Sequence, residues 1–191
     1  LLGTYHTKIG AYQNALELYE KNLNIDNVTE GLCIAYAEVL ELCGKAPEAE
    51  RKYYDALEIN PNSATAFKKY FDIVKKRNVK EYESKLEKLS EINGNWRAKM
   101  MRAMVFFKKG DKESGNFFLI NALKESGYNS EVMYITSSIY ILNELYDEFK
   151  QYVLAYYNPE KHNAYTALNV LKYYKVRNLY KEGLELCKFT S

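Results

Sequence analysis

The sequence predicts an all-α chain made of about six stacked helical hairpins, and three observations carry that expectation. Turn-forming residues recur at a period near 34 residues. Two amphipathic segments fit inside each period. The composition is rich in aromatic residues, with 19 Tyr, and poor in helix breakers, with 3 Pro.

The period is read most easily from residues 43–63, "CGKAPEAERKYYDALEINPNS". Gly44 separates two apolar-periodic segments, Pro47 stands in a favoured first-turn position, and "NPNS" breaks the chain again. Between these signals Ala49, Tyr53 and Ala56 share one helical stripe. Stepping 34 residues back from Gly44 reaches Gly10, and 34 forward reaches Asn78. A step of 32 then reaches Gly110, and two more steps of 34 reach Glu144 and Asn178. Gly and Asn prevail at these markers because they best tolerate the left-handed residue that ends a helix.

Paired helices follow at 31–43 and 47–59, 64–77 and 79–92, 96–109 and 111–126, 130–143 and 146–157, and 163–177 and 180–189. The six repeats, near 1–29, 30–63, 64–95, 96–129, 130–163 and 164–191, are expected to form a single solenoid domain over 1–191. The sequence starts within a first helix and ends within a second one. Natural end repeats carry polar caps, so the array is expected to be part of a longer one.

Composition narrows the function. Lys+Arg 27 against Asp+Glu 25 gives a net charge of +2, which supplies no general field for nucleic acid or an anionic membrane. No apolar run is long enough to span a bilayer. Cys33, Cys43 and Cys187 are an odd set without CxxC spacing. On one helix Cys33 and Cys43 stand roughly 15 Å apart, too far to bridge. Reduced thiols and a cytoplasmic setting are the expectation. The sequence contains no GxSxG, HExxH, phosphate-cradling Gly loop or metal-like Cys/His spacing, so an enzyme, a cofactor and a metal are not expected. His6 falls in an aromatic packing slot and His162 in an inter-repeat turn. The scattered carboxylates fit helix-surface ion pairs better than an acid–base pair.

These residues resemble the tetratricopeptide repeat family over essentially the whole chain. Repeat two supplies Cys33, Tyr36, Ala37 and Leu40, then Ala49, Tyr53, Ala56 and Pro61. Repeat one supplies Leu2, Gly3, Tyr12, Ala15 and Tyr19, and repeat four supplies Ala103, Phe106, Gly115, Ala122 and Leu123. Repeat five offers Ser137, Tyr140 and Tyr146, and repeat six offers Tyr174, Tyr180 and Gly183. Small residues let helix backbones approach, and aromatics fill the space beside each crossing. Phe71 and Glu83 in repeat three and Phe149 in repeat five depart from the small-residue pattern, and repeat four is two residues short. Looser or rotated packing is expected over residues 71–96.

The resemblance implies a right-handed superhelix whose first helices line a concave groove. Helical spacing independently gives the candidate groove stripe. In repeat three it holds Lys68, Lys69, Asp72 and Lys76. In repeat four it holds Arg97, Met100, Met101, Met104 and Phe107. It continues through Tyr134, Ile135 and Ile141 in repeat five and Tyr165, Leu168, Asn169 and Lys172 in repeat six. A Met-rich and aromatic middle flanked by lysines suits a protein or peptide with apolar anchors and acidic residues. The other reading places the same side chains in the core. One branch of the family clamps chaperone-tail carboxylates with Lys and Asn on successive first helices. Here Ile34, Glu38, Met101 and Ile135 stand in those registers, so that clamp is not expected.

The leading expectation is a non-catalytic scaffold or adaptor. The alternative is the recognition region of a larger enzyme, such as a glycosyltransferase. Single-stranded RNA binding is disfavoured by the near-neutral charge and the absence of uniform polar readout positions.

Overall fold

The computed structural model describes residues 2–23 and 28–190, and among these there are helices and turns but no strand. Backbone contacts divide the chain into two compact units meeting between Leu89 and Ser90. The first unit contains α1 (Leu2–Lys8), α2 (Tyr12–Leu23), α3 (Glu30–Leu42), α4 (Ala46–Ile59), α5 (Ala64–Arg77) and nearly all of α6 (Val79–Ser90). The second contains α7 (Trp96–Lys108), α8 (Lys112–Glu125), α9 (Ser130–Leu142) and α10 (Tyr146–Glu148). It goes on through a π-helical stretch (Phe149–Leu154) to α11 (Ala164–Val176) and α12 (Tyr180–Thr190).

Helix starts and stops are encoded locally. Every first helix from the second repeat onward opens on a side-chain cap. Thr29, Ser63, Asn95, Asn129 and Asn163 each accept a hydrogen bond from the backbone N–H three residues on. Within most hairpins the turn uses one left-handed residue. It is Gly10, Gly44 or Gly110 at φ +73° to +83°, and Glu144 and Asn178 at φ 59° and 57°. Asn78 alone among the markers is extended, at φ −160°.

Packing follows the small-residue pattern. Ala37, Ala49 and Ala56 are wholly buried in the first unit, as are Ala103, Ala122 and Ser137 in the second. At two crossings even alanine is too large. A Cβ on Gly3 would lie 2.6 Å from the Tyr19 ring, and one on Gly115 would lie 2.8 Å from the Phe107 ring. Aromatics fill the flanks. Tyr53 is fully buried and its hydroxyl donates to Glu41 at 2.6 Å, while Tyr140 donates to Asn116 at 2.6 Å.

The departures from the pattern have visible consequences. In the third hairpin Phe71 sits where the first, second, fourth and fifth use Gly3, Ala37, Ala103 and Ser137, and its ring meets Tyr82 of α6 edge-on at 5.1 Å. The backbones of α5 and α6 are held apart, whereas those of α3 and α4, and of α7 and α8, pack closely. In the fifth repeat Phe149 is completely buried and stacks on Tyr173 of α11 at 4.8 Å. The helix expected over 146–157 is regular only to Glu148, widens there into the π form and ends at Leu154. Leu2 and Tyr180, given packing slots by the resemblance, are exposed, because no described residue covers the outer faces of α1 and α12.

Two stability measurements check this account. Ala56→Leu, which overfills a closed crossing, should lower the unfolding free energy by roughly 1–3 kcal/mol in urea titrations. Glu144→Gly removes the strain of a left-handed non-glycine residue and should raise stability by about 1 kcal/mol.

Candidate functional site: the solvent face of the first helices

In the second unit α7, α9 and α11 lie side by side because polar groups tie each to the next. Arg97 of α7 forms a two-point ion pair with Glu131 of α9 at 2.6 and 2.7 Å, and its guanidinium stacks over Trp96 at 4.7 Å. Asn169 of α11 donates to the hydroxyls of Ser137 and Ser138 on α9, both at 2.9 Å. The connections are tied as well. Asn158 N–H donates to His162 Nδ1, and His162 Nε2 then donates to the Tyr128 carbonyl, each at 2.9 Å. His162 is therefore a connector in the inter-repeat turn.

These ties sort the candidate stripe into two sets. Met100 is in the core, Arg97 and Asn169 are buried and partnered, and Phe107 packs its ring against Gly115 of α8. Ile135 and Ile141 are half-buried against the same core, and Met101 is half-buried beside Met100. Facing solvent are Met104 on α7, Tyr134 on α9, and Tyr165 and Leu168 on α11, the last two 64% and 52% exposed. The Tyr134 and Tyr165 rings are 5.5 Å apart, so the exposed set crosses from α9 to α11 as one surface. Lys172, one turn beyond Leu168, is exposed, and no described residue pairs with it. The stripe is thus divided between residues buried in the core and residues that face solvent.

Two of the three candidate lysines on α5 are engaged. Lys68 pairs with Asp72 at 2.8 Å, and Lys69 reaches Glu41 on α3 at 2.9 Å. Lys76 is exposed beside them. Burial alone would raise the Glu41 carboxyl, but hydrogen bonds from Tyr53 and Lys69 outweigh it and hold the group below the usual range. Farther along, Glu50 of α4 is 8% exposed and receives Arg77 at 2.5 Å and Lys85 at 2.6 Å. Arg77 and Lys85 also hold Glu81, whose carboxyl falls to about 2. Glu50 too is held low, its burial outweighed by the Arg77 and Lys85 hydrogen bonds. This network fixes α6 against α4. It also forms part of the wall of a cavity of about 600 Å³ that includes Glu20, Tyr36, Tyr54 and Tyr70.

The stripe itself was legible from helical spacing, but the partition within it was not. One signal was available: residues one period apart become neighbours. Arg97 and Glu131 are 34 apart, and so are Tyr128 and His162. An opposite-charge pair at that interval marks a closed contact, and the caps repeat at the same interval. Among the described residues no group of three or more His, Cys, Asp or Glu is placed to hold a metal, and no helix is long and apolar enough to cross a membrane. Cys33 is buried, and Cys43 and Cys187 are exposed and unbridged.

No protein-family model matches the chain, and no curated protein matches it in sequence. Solved structures do. The Pseudomonas aeruginosa protein pilF superposes with a TM-score of 0.55 at 17% identity, covering 97% of this chain and 85% of its own. MamA superposes at 0.47 with 14% identity, covering 92% and 98%. Both are tetratricopeptide-repeat proteins. The likeness to pilF establishes that this chain has the fold of stacked tetratricopeptide-type hairpins.

Acid titration tests the charge network. A carboxyl depressed in the folded state stabilises fully above its unfolded value, about 4.3 for Glu, and loses that contribution as pH falls through its folded value. Glu41, Glu50 and Glu81 all lie on that side, with Glu81 titrating near 2. Urea midpoints should therefore fall between about pH 5 and pH 2, and Glu50→Gln should flatten that fall.

Proposed function

We propose that this protein is a protein-interaction scaffold, and that α7, α9 and α11 seat a peptide or a helix of a partner protein. The observation that carries the reading is the run of outward side chains Met104, Tyr134, Tyr165 and Leu168. Helices of this fold bury their apolar stripe. Four large apolar groups left in water on adjacent first helices form a surface that gains free energy when covered, at about 25 cal/mol per Å².

The chemistry of the surface supports a partner of a particular kind. Met104 is adaptable and accepts apolar anchors of varied shape, and the two tyrosines offer broad ring faces with a polar edge. Arg97 is neutralised by Glu131, while Lys172 on α11 is exposed beside Leu168 and offers a cation to a ligand. The partner segment carries two or three apolar anchors and one carboxylate beside them. Within the first unit, Lys68 and Lys69 are spent on Asp72 and Glu41.

Affinity capture from the source cell tests this reading, with bound proteins identified by mass spectrometry. Met104→Glu and Leu168→Asp should keep the helical circular dichroism of the wild type and lose a partner that the wild type retains. Lys68→Glu should retain it. A partner held equally by all four proteins would refute the surface.

A further inference from the structure

We infer that the cleft between the last two inter-repeat turns is a small-molecule site, and that it takes a planar aromatic anion of mononucleotide size. The cleft has a volume of about 520 Å³ and lies wholly within the second unit. That size suits a small ligand. One wall is the turn between α8 and α9, with Tyr128 and Asn129. The other is the segment between the π-helical stretch and α11, with Tyr156, Asn158, Lys161 and His162.

The two walls are tied together by the fold itself. His162 accepts the Asn158 N–H on Nδ1 and donates from Nε2 to the Tyr128 carbonyl. The Asn163 N–H adds a second tie, to Ser130 Oγ at 2.9 Å. A ligand therefore meets a cleft whose backbone needs little further ordering.

Tyr128 is the residue that a turn alone does not explain. Its backbone is left-handed at φ 58°, a conformation that a bulky residue adopts only under strain. One period of 34 residues earlier Gly94 holds the same place at φ 79° without that strain. What Tyr128 adds is its ring, stacked on Tyr156 with centroids 3.8 Å apart and planes 12° apart. Tyr128 covers one face of the Tyr156 ring, yet Tyr156 stays 49% exposed, so the opposite face is open to a second planar group. A nucleobase presents such a group, and it stacks on tyrosine whatever its identity.

The polar lining selects an anion. Asn129 Oδ1 accepts the Val132 N–H as the cap of α9, and Asn158 Oδ1 accepts the Glu160 N–H. With its oxygen engaged, each side chain offers its NH2 group as a donor. Lys161 is exposed, and no described residue pairs with it. No carboxylate stands among the described residues of the lining. Two amide donors and one ammonium group thus face a ligand's acceptor atoms, and the ammonium sets the preferred charge. The cavity of the first unit differs, because carboxylates and cations share its wall and favour neither sign.

Equilibrium dialysis and saturation-transfer NMR with adenosine monophosphate test the site on the 191-residue chain. The base protons should receive more saturation than the ribose protons, as stacking on Tyr156 requires. Adenosine, which lacks the phosphate, should bind about tenfold more weakly. Lys161→Ala should bring the monophosphate down to the affinity of adenosine and leave adenosine unchanged. Tyr156→Ala should weaken both by about tenfold. Tyr156→Leu, which keeps an apolar cover on Tyr128, repeats that arm if the alanine variant loses its helical circular dichroism. Met104→Glu, outside the lining of the cleft, should bind the monophosphate as the wild type does, which separates this site from the partner surface. No binding of the monophosphate by the folded wild type at millimolar concentration would overturn the proposal. Equal saturation of base and ribose would do the same, as would wild-type affinity in the folded Lys161 and Tyr156 variants.

Discussion

The close approach of helix backbones at small residues is the constraint on which everything else depends. Where Ala37, Ala49, Ala56, Ala103, Gly115, Ala122 and Ser137 stand, two helices come near enough for the neighbouring aromatics to close over the crossing. Each hairpin alone is too short to be stable, because a helix of about 12 residues is marginal in water. Stacking converts a set of marginal elements into two continuous cores. The same geometry decides which side chains of a first helix turn inward and which are left facing water, and so it creates the candidate surface.

Where the constraint is broken, the chain adapts locally and keeps the hairpin order. Phe71 and Tyr82 hold α5 away from α6, and the charge network of Glu50, Arg77, Glu81 and Lys85 secures the separated helix to α4. Such pairs are worth little when fully solvated. Here Glu50 is nearly buried, which makes the loss of either cation costly. Phe149 is accommodated differently, by a π-helical widening that brings Phe149 and Val153 into the core together.

The architecture was legible because it rests on short-range rules that the period multiplies. Turn residues, apolar spacing and small-residue slots placed most helices within a residue or two of their observed ends. The π stretch was not legible, because the response of a helix to one oversized residue depends on Tyr173 across the interface. Glu144 was an unhelpful marker in the same way: its turn is left-handed despite the residue, forced by the hairpin around it. For the surface, spacing identified the stripe but could not tell Met100 from Met104. Those two differ by one helical turn, and only the position of the neighbouring helices separates core from solvent. The ion pairing of the α5 lysines was not legible for a related reason, since Glu41 lies 28 residues from Lys69 in sequence yet 2.9 Å away in space.

The partition of the first helices into a buried and a solvent face is the central claim, and thiol reactivity along α11 measures it directly. In a background with Cys33, Cys43 and Cys187 replaced by Ala or Ser, single cysteines at Tyr165, Leu168 and Lys172 should react with a maleimide in the native protein as fast as a free thiol. Cysteines at Ala167 and Val170 should react only at the rate of unfolding. Equal reactivity at all five positions would contradict the packing, and with it the surface on which the proposed partner is seated.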